Sequence, residues 1–366
     1  MKILLVITSL GVGGAERLVT NYADVFVKSG HDVVLAYLYG KAELLPTDRR
    51  VQVVNIGLSK NPVSLFNVLR NLRQLIWDFS PDVVNSHLVH ANILMRLLRI
   101  FTTIPRLISS AHNTNEEGRF RMLAYRLTDS LADISTNVSV GAVDAFIREK
   151  AVKPERMIAL HNSIDIEQFV YRNDLRCKIR GELDIPENTQ LLLAVGRLGA
   201  SKDYPNLLKS FSIICETKKS IKLLIVGDGP LREKLLLLAK SLNVDSKVMF
   251  LGVRHDVPAL MSACDFFVLS SAWEGFGLVV AEAMSCNRIV VATDSGGVKE
   301  VLGSYGFLVP PSDSTALAKG ISNALALDMQ ERKKLGILAR KRIEELYSME
   351  KTAAKWLSLY DHNSVV

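Results

Sequence analysis

The sequence predicts an α/β protein made of two doubly wound, Rossmann-like parallel sheets. Three observations carry this expectation. Short apolar runs alternate with stretches of helical period from end to end, the pattern of right-handed βαβ units. The pattern restarts near residue 165. And 366 residues, at roughly 150 per domain, make two domains.

In chain order, Ile3–Ile7, Val33–Leu38, Val51–Ile56, Asp82–Ser86, Arg106–Ser110 and Ile134–Asn137 read as strands. Ala15–Lys28, Val63–Phe79 and Ala91–Ile100 read as helices between them, with apolar residues at three- and four-residue spacing. A linker is expected around 164–175, and the polar stretch Asn173–Asn188 with Pro186 separates the two series. The second series has strands at Gln190–Val195, Ile221–Val226, Lys247–Phe250, Asp265–Leu269 and Arg288–Ala292. Two long helices, Met329–Leu346 and Met349–Leu359, close the chain. The expected domains are 1–165 and 166–348. Two such sheets would face across a cleft, with ligands at the carboxyl ends of the strands.

Composition excludes several classes. Hydrophobic residues make up 48% and charged residues 23%, which are globular values. No apolar run reaches the ~18 residues of a membrane span. The opening Met1–Ile7 is too short for a signal peptide. The four cysteines, Cys177, Cys215, Cys264 and Cys286, are scattered and read as core filler of a reduced, cytoplasmic protein. A net charge of +7 suits an anionic ligand or an acidic membrane surface. With no zinc-finger or RNA-binding signature and no basic block, a nucleic-acid partner is not expected.

Three loops after strands could carry chemistry. Gly11-Val12-Gly13-Gly14-Ala15-Glu16 offers an open helix start to an anion. Glu16 stands where a dinucleotide fingerprint needs its third glycine, so nicotinamide is not expected; a plain tight turn stays open as the alternative. Gly196-Arg197-Leu198-Gly199-Ala200-Ser201-Lys202 places two cations where they could clamp a diphosphate, or simply sit in a solvated loop. Trp273-Glu274-Gly275-Phe276-Gly277-Leu278 through Glu282 sets a carboxylate beside exposed backbone N–H groups. Glu282, among apolar neighbours, needs ligand hydroxyls or a salt bridge. Gly227-Asp228-Gly229-Pro230 reads as a helix entry explained by capping. His87 and His90 could meet as metal ligands, but a structural or acceptor-side role fits better.

Together with His112-Asn113 and Asn162-Ser163-Ile164-Asp165, these segments resemble, in order and over nearly the whole chain, the family-4 retaining glycosyltransferases of the GT-B fold. The resemblance implies a UDP-sugar donor bound mainly by the second domain. The implied acceptor is a polyprenyl diphosphate-linked saccharide of bacterial surface polysaccharide (O-antigen) synthesis, bound mainly by the first domain. By the same resemblance Arg197 and Lys202 would hold the diphosphate, and Glu282 the ribose hydroxyls. Glu274 would contact the donor sugar beside the Phe276, Gly277 and Leu278 backbone. Gly13, Gly14 and Val253 would also belong to the donor site, His112 would stand by the reacting face of the sugar, and the last helix would return to the first domain. No Asp-x-Asp occurs, so no metal and no other cofactor is expected, the two cations taking the metal's place.

Two rivals share the expected fold: a UDP-sugar 2-epimerase, and a binding protein that holds a nucleotide sugar without turnover. An anionic membrane is a further expected partner. Arg96, Arg99, Arg106, Arg119, Arg121 and Arg126 face only Glu116 and Glu117 as acids between 91 and 126. The helix over 63–79, with Phe66, Leu69, Leu72 and Ile76 at helical spacing, could lie on such a surface too, though a core-facing role fits it better.

Overall fold

The computed structural model describes every residue except 12, 60, 115–117 and 362–366. Val12, Glu116 and Glu117 of the motifs above therefore lie outside the described residues. The chain divides into two compact units, Met1–Ser163 with Met349–Val366, and Ile164–Ser348.

The first unit holds a seven-stranded sheet of β1 (Lys2–Ile7), β2 (Asp32–Tyr37), β3 (Gln52–Asn55), β4 (Val83–His87), β5 (Leu107–Ser110), β6 (Ile134–Asn137) and β7 (Met157–Ala159), in the order β3-β2-β1-β4-β5-β6-β7. All of its pairings are parallel. Helices α1 (Gly14–Lys28), α2 (Pro62–Phe79), α3 (Val89–Leu98), α4 (Arg119–Thr128) and α5 (Val140–Arg148) connect the strands. Strands β1 and β2 are apolar along their length because helices cover both faces of the sheet. One apolar layer joins Ile3, Leu5 and Ile7 to Tyr22 and Phe26 of α1; the other joins Leu4 and Val6 to Val68, Leu72 and Ile76 of α2. So α2 turns its apolar stripe to the core, as the sequence favours, while Phe66 and Trp77 remain 70% and 81% exposed.

The second unit opens with α6 (Asn173–Glu182) and holds a six-stranded parallel sheet of β8 (Gln190–Val195), β9 (Ile221–Val226), β10 (Val248–Gly252), β11 (Phe266–Leu269), β12 (Ile289–Thr293) and β13 (Phe307–Val309). Its order is β10-β9-β8-β11-β12-β13. The polar separator read from the sequence is thus helical over its first part. The reason is anchoring: Arg180 of α6 is buried and donates to the Ala263 and Pro186 carbonyls, both at 3.0 Å. Helices α7 (Tyr204–Thr217), α8 (Arg232–Ser241), α9 (Val257–Ala263), α10 (Leu278–Ser285), α11 (Val298–Leu302), α12 (Ser314–Ala326) and α13 (Met329–Leu346) complete the unit. A capping box between Asp328 and Glu331 starts α13.

The last helix, α14 (Met349–Tyr360), packs into the first unit. Trp356 and Tyr360 join the α1 side of the core, and the Asn85 side chain donates to the Tyr360 hydroxyl at 2.8 Å. Among the described residues no helix is long and apolar enough to cross a membrane. Cys264 and Cys286 are buried core residues, whereas Cys177 is exposed and fills no core.

Candidate active site

In the second sheet the strand order reverses between β8 and β11, whose Leu192 and Leu193 register with Phe266 and Phe267. Loops diverge at such a switch point and leave a crevice at the carboxyl ends of the strands. Here the two loops are tied together. The Ser270 hydroxyl donates to the Lys202 carbonyl at 2.7 Å, and the Ala272 N–H to the Ser201 carbonyl at 2.8 Å.

Across this point the Lys202 ammonium pairs with the Glu274 carboxylate, and the Ser271 hydroxyl donates to the same Oε1 at 2.7 Å. Their side chains are 19% and 14% exposed. Charges so withdrawn from water need each other and a hydrogen bond to persist. A Cβ at Gly196 would stand 3.0 Å from Lys202 Cε, a tight approach that would press on the lysine. The Tyr204 hydroxyl donates to the Gly196 carbonyl at 3.1 Å. Burial, and then the negative charge of Glu274, push that phenol well above its ordinary range. Arg197 is exposed, and its side chain makes no hydrogen bond or ion pair among the described residues; its carbonyl accepts from the Gly199 N–H at 2.8 Å.

The neighbouring loops are knit to this one by backbone. Gly227-Asp228-Gly229-Pro230 does not cap a helix, contrary to the sequence reading: α8 starts later, at Arg232, with no side-chain cap. The glycines are there for contact. A Cβ at Gly227 would fall 2.0 Å from the Gly196 carbonyl oxygen, and one at Gly229 2.6 Å from that of Leu198. Leu198 N–H in turn donates to the Asp228 carbonyl at 2.9 Å.

Val253 follows β10 and is 62% exposed. Gly277, at φ 87°, takes the left-handed conformation at the start of α10, with Val298 too close for a side chain to be comfortable. Phe276 turns inward, 3% exposed, and meets the Tyr347 ring edge-on at 5.4 Å. Leu278 and Glu282 are both half-buried and one turn apart on α10, so they share a face. The structure therefore brings Lys202 and Glu274 into contact. It sets Arg197, Val253 and Gly277 in loops at the same sheet edge and Glu282 one turn into a helix. Ser271 and Tyr204 complete the cluster. Sequence reasoning passed over both, although Ser271 stands three residues before Glu274 and Tyr204 opens α7.

The first sheet has its own switch point, between β1 and β4. Gly13 and Gly14 follow β1 at the start of α1. Here the Glu16 carboxylate folds back over Gly13, so near that a Cβ at 13 would collide with it. Glu16 thus covers the open end of its own helix, and burial raises its pKa. His87 ends β4, and His112 lies just past β5. Their rings share a hydrogen bond, His87 Nδ1 to His112 Nε2, at 3.1 Å. Burial holds both neutral: His112 is lowered to about 4, and His87 is lowered by burial and by its neighbour. Trp356 of α14 stands edge-on to His87 at 6.2 Å. The idea of a His87–His90 metal pair fails, because His87 is buried against His112 while His90 is exposed on α3. Among the described residues no three His, Cys, Asp or Glu side chains gather as metal ligands would.

The arginine excess of 96–126 also divides. Arg96 is wholly buried and donates to Ser109 at 3.0 Å and Ser135 at 2.8 Å, with its guanidinium over the Tyr125 ring. Arg99 pairs with Asp133 at 2.8 Å. These two hold the fold and cannot meet a membrane. Arg119, Arg121 and Arg126 on α4 are exposed, beside Phe120 at 88% and Leu127 at 72% exposure.

Known proteins match this architecture. Residues 12–168 fit the model of Glycosyltransferase Family 4, and residues 176–342 that of Glycosyl transferases group 1. An N-acetylgalactosamine-N,N'-diacetylbacillosaminyl-diphospho-undecaprenol 4-alpha-N-acetylgalactosaminyltransferase from Campylobacter jejuni is 27% identical over 343 residues, covering 89% of this chain and 91% of that one. A UDP-Gal:alpha-D-GlcNAc-diphosphoundecaprenol alpha-1,3-galactosyltransferase from Escherichia coli is 27% identical over 274 residues, covering 71% and 69%. The crystal structure of Anabaena HepE in complex with UDP superposes with a TM-score of 0.85 at 23% identity, covering 98% and 99%. With both of its sheets doubly wound and both family models in place, the chain belongs to the family-4 glycosyltransferases and has the GT-B fold.

Proposed function

We propose that this glycosyltransferase moves a hexose or N-acetylhexosamine from a UDP-sugar, with retention and without a metal, to a saccharide carried on a polyprenyl diphosphate. The reading serves bacterial surface polysaccharide synthesis at the inner face of the cytoplasmic membrane. The observation that carries it is the Lys202–Glu274 pair at the second switch point, with Arg197 exposed beside it. As the bond from the sugar to UDP breaks, negative charge gathers on the departing diphosphate. Arg197 and Lys202 are then worth more than in the ground state, which is what accelerates a reaction. Glu274 holds Lys202 in place before the donor arrives and stands where the sugar would lie. Glu282 accepts from the ribose hydroxyls. The acceptor hydroxyl attacks the face the diphosphate leaves, and its proton passes to a diphosphate oxygen. Neutral His112 can hydrogen-bond a sugar hydroxyl without competing for that proton.

The relatives named above act on diphospho-undecaprenol substrates, and α4 offers a surface for an anionic bilayer through Arg119, Arg121, Arg126 and Phe120. The test has three readings. UDP at a hundred times its dissociation constant should stabilise the protein by ~2.7 kcal/mol in thermal unfolding. Transfer to a lipid-linked acceptor should survive excess EDTA, and the product should keep the donor's anomeric configuration. An absent UDP shift, a strict metal requirement or an inverted product would each overturn its part.

A further inference from the structure

We propose that Thr293 and Ser271 are positioning residues for the transfer, acting in series to fix which oxygen of Glu274 is left for the donor sugar. This rests on the reading of Lys202 and Glu274 as part of the donor site.

Glu274 uses its two oxygens differently. Oε1 takes both the Lys202 ammonium and the Ser271 hydroxyl, the latter at 2.7 Å. Oε2 makes no hydrogen bond or ion pair among the described residues. A carboxylate that faces one ammonium alone can turn and bring both oxygens to it, because nothing distinguishes them. The second donor on Oε1 takes that freedom away, since turning forfeits the bond from Ser271. Oε1 is thus engaged inside the protein, and Oε2 is the acceptor left for a sugar hydroxyl.

Ser271 can do this only if it is itself held. It lies two residues past β11 and is wholly buried. Its carbonyl accepts from the Thr293 hydroxyl at 2.6 Å. Thr293 is the last residue of β12, the strand paired with β11, and it too is wholly buried. On either side of Ser271 the chain is tied to the Lys202 loop, through the Ser270 hydroxyl and the Ala272 N–H. The serine is therefore fixed from β12 on one hand and from the loop after β8 on the other. Thr293 hydrogen-bonds neither Lys202 nor Glu274, so its part is played through Ser271. A misplacement of about 1 Å at such a site can cost on the order of a hundredfold in rate, which is why the support matters to the chemistry.

The experiment uses the full chain with Ser271→Ala, Thr293→Val and Thr293→Ser, and Lys202→Ala as the reference. Valine keeps the shape of threonine without the hydroxyl; serine keeps the hydroxyl. UDP-glucose, UDP-galactose and their 2-acetamido counterparts are screened for transfer, and UDP alone serves as the probe with a diphosphate and no sugar. For the donor that is turned over, Ser271→Ala should lower kcat/KM by about tenfold or more, the size of a lost bond to a charged group. Its affinity for UDP should stay within about twofold of wild type. Thr293→Val should lose in the same way, and Thr293→Ser should regain most of the loss, with circular dichroism confirming that each variant is folded. Equal losses for UDP and UDP-sugar, or a serine variant as impaired as the valine one, would overturn the assignment. Should Ser271→Ala fail to fold, the two Thr293 variants decide. Crystal structures of wild type and Thr293→Val give a reading without turnover: Glu274 turned toward Lys202 with both oxygens supports the relay, and an unmoved Glu274 sinks it. If Lys202→Ala transfers sugar as wild type does, or wild type turns over no UDP-sugar, the donor-site reading fails and the crystal structures alone judge the relay. If Lys202→Ala is inactive while Ser271→Ala and Thr293→Val are unimpaired, the donor site stands and the relay falls.

Discussion

Two sheets of the same winding carry opposite chemistry at their switch points. In the second unit the crevice holds a cation on a carboxylate, Lys202 on Glu274, with a further exposed arginine. In the first it holds two histidines that burial keeps neutral, 3.1 Å apart. The winding dictates where a ligand can sit, not what it is. Charges preorganised in a half-buried loop favour a leaving group that becomes anionic. Neutral rings favour a partner that keeps its charge away from the reacting hydroxyl. On the proposed function, the division of donor from acceptor would rest on side chains set on a shared plan.

The sharpest way to break this contrast is to remove the cation. Lys202→Ala should lower turnover roughly a hundredfold, on the order of 3 kcal/mol, because the lost contact is strongest with the departed diphosphate. It also leaves Glu274 half-buried with Ser271 alone, so a lower melting temperature should accompany the loss. Glu282→Ala should instead raise the donor KM with turnover less affected, since a ribose contact is the same before and during reaction. Steady-state kinetics on both variants, with circular dichroism to confirm folding, checks the split. Two variants that lose only affinity would show that the second crevice binds without catalysing.

The histidine pair predicts a smaller effect with a distinct signature. If His87 acts by holding the His112 ring, His87→Phe and His112→Phe should each cost turnover, and the double variant no more than His112→Phe alone. Additive losses would mean that His87 serves the fold independently. The pair also sets a pH window. A histidine neutral in the fold but titrating near ~6.5 when unfolded binds its proton first in the unfolded chain. Its contribution is complete above that value and falls as pH drops toward about 4, the folded value of His112. Each histidine adds at most ~1.4 kcal/mol per pH unit to the slope. Urea unfolding between pH 7 and 5 should therefore be steeper in wild type than in His112→Phe.

How much of this the sequence disclosed depends on how local each signal was. Strands buried on both faces are continuous apolar runs, and Ile134–Asn137, Gln190–Val195 and Ile221–Val226 stand where they were read. The short edge strands Met157–Ala159 and Phe307–Val309 carry too few residues to register a period. Residues 173–182 read as part of a polar separator because their helix is held by arginine-to-carbonyl bonds that no apolar pattern reports. Within the site, the Lys202 and Glu274 loops were legible from glycine and charge spacing. Their contact was not, since Lys202 and Glu274 are 72 residues apart in sequence and meet only because β8 lies next to β11. Arg96 misled for the opposite reason: charge implies surface unless a serine-lined interior is already known. His87 needed the third dimension too, because its partner lies just past the neighbouring strand.

The smallest expected effect concerns the backbone between His87 and the start of α3. Leu88 stands at φ 70° and ψ 158°, a region that is essentially glycine's. It is held from both sides, its N–H donating to the Ser110 carbonyl at 3.2 Å and its carbonyl accepting from Asn92 at 2.9 Å. Such a conformation stores ~1–3 kcal/mol for a residue with a Cβ. Replacing leucine by glycine alone would confuse strain with the lost side chain, so the informative comparison is Leu88→Ala against Leu88→Gly. In ordinary backbone the glycine variant is the less stable by ~0.5–1 kcal/mol, because the unfolded chain gains freedom. Here the order should invert, with Leu88→Gly the more stable of the two by about 1 kcal/mol once relief of strain is set against that entropy. Urea midpoints at equal slopes measure it. The second crevice is held by an ion pair. If Leu88→Gly is the more stable variant yet transfers sugar more slowly than Leu88→Ala, the first crevice is held by backbone strain that keeps His87 against His112. If the alanine variant is the more stable, residue 88 is an ordinary helix entry and the histidines are placed by packing alone.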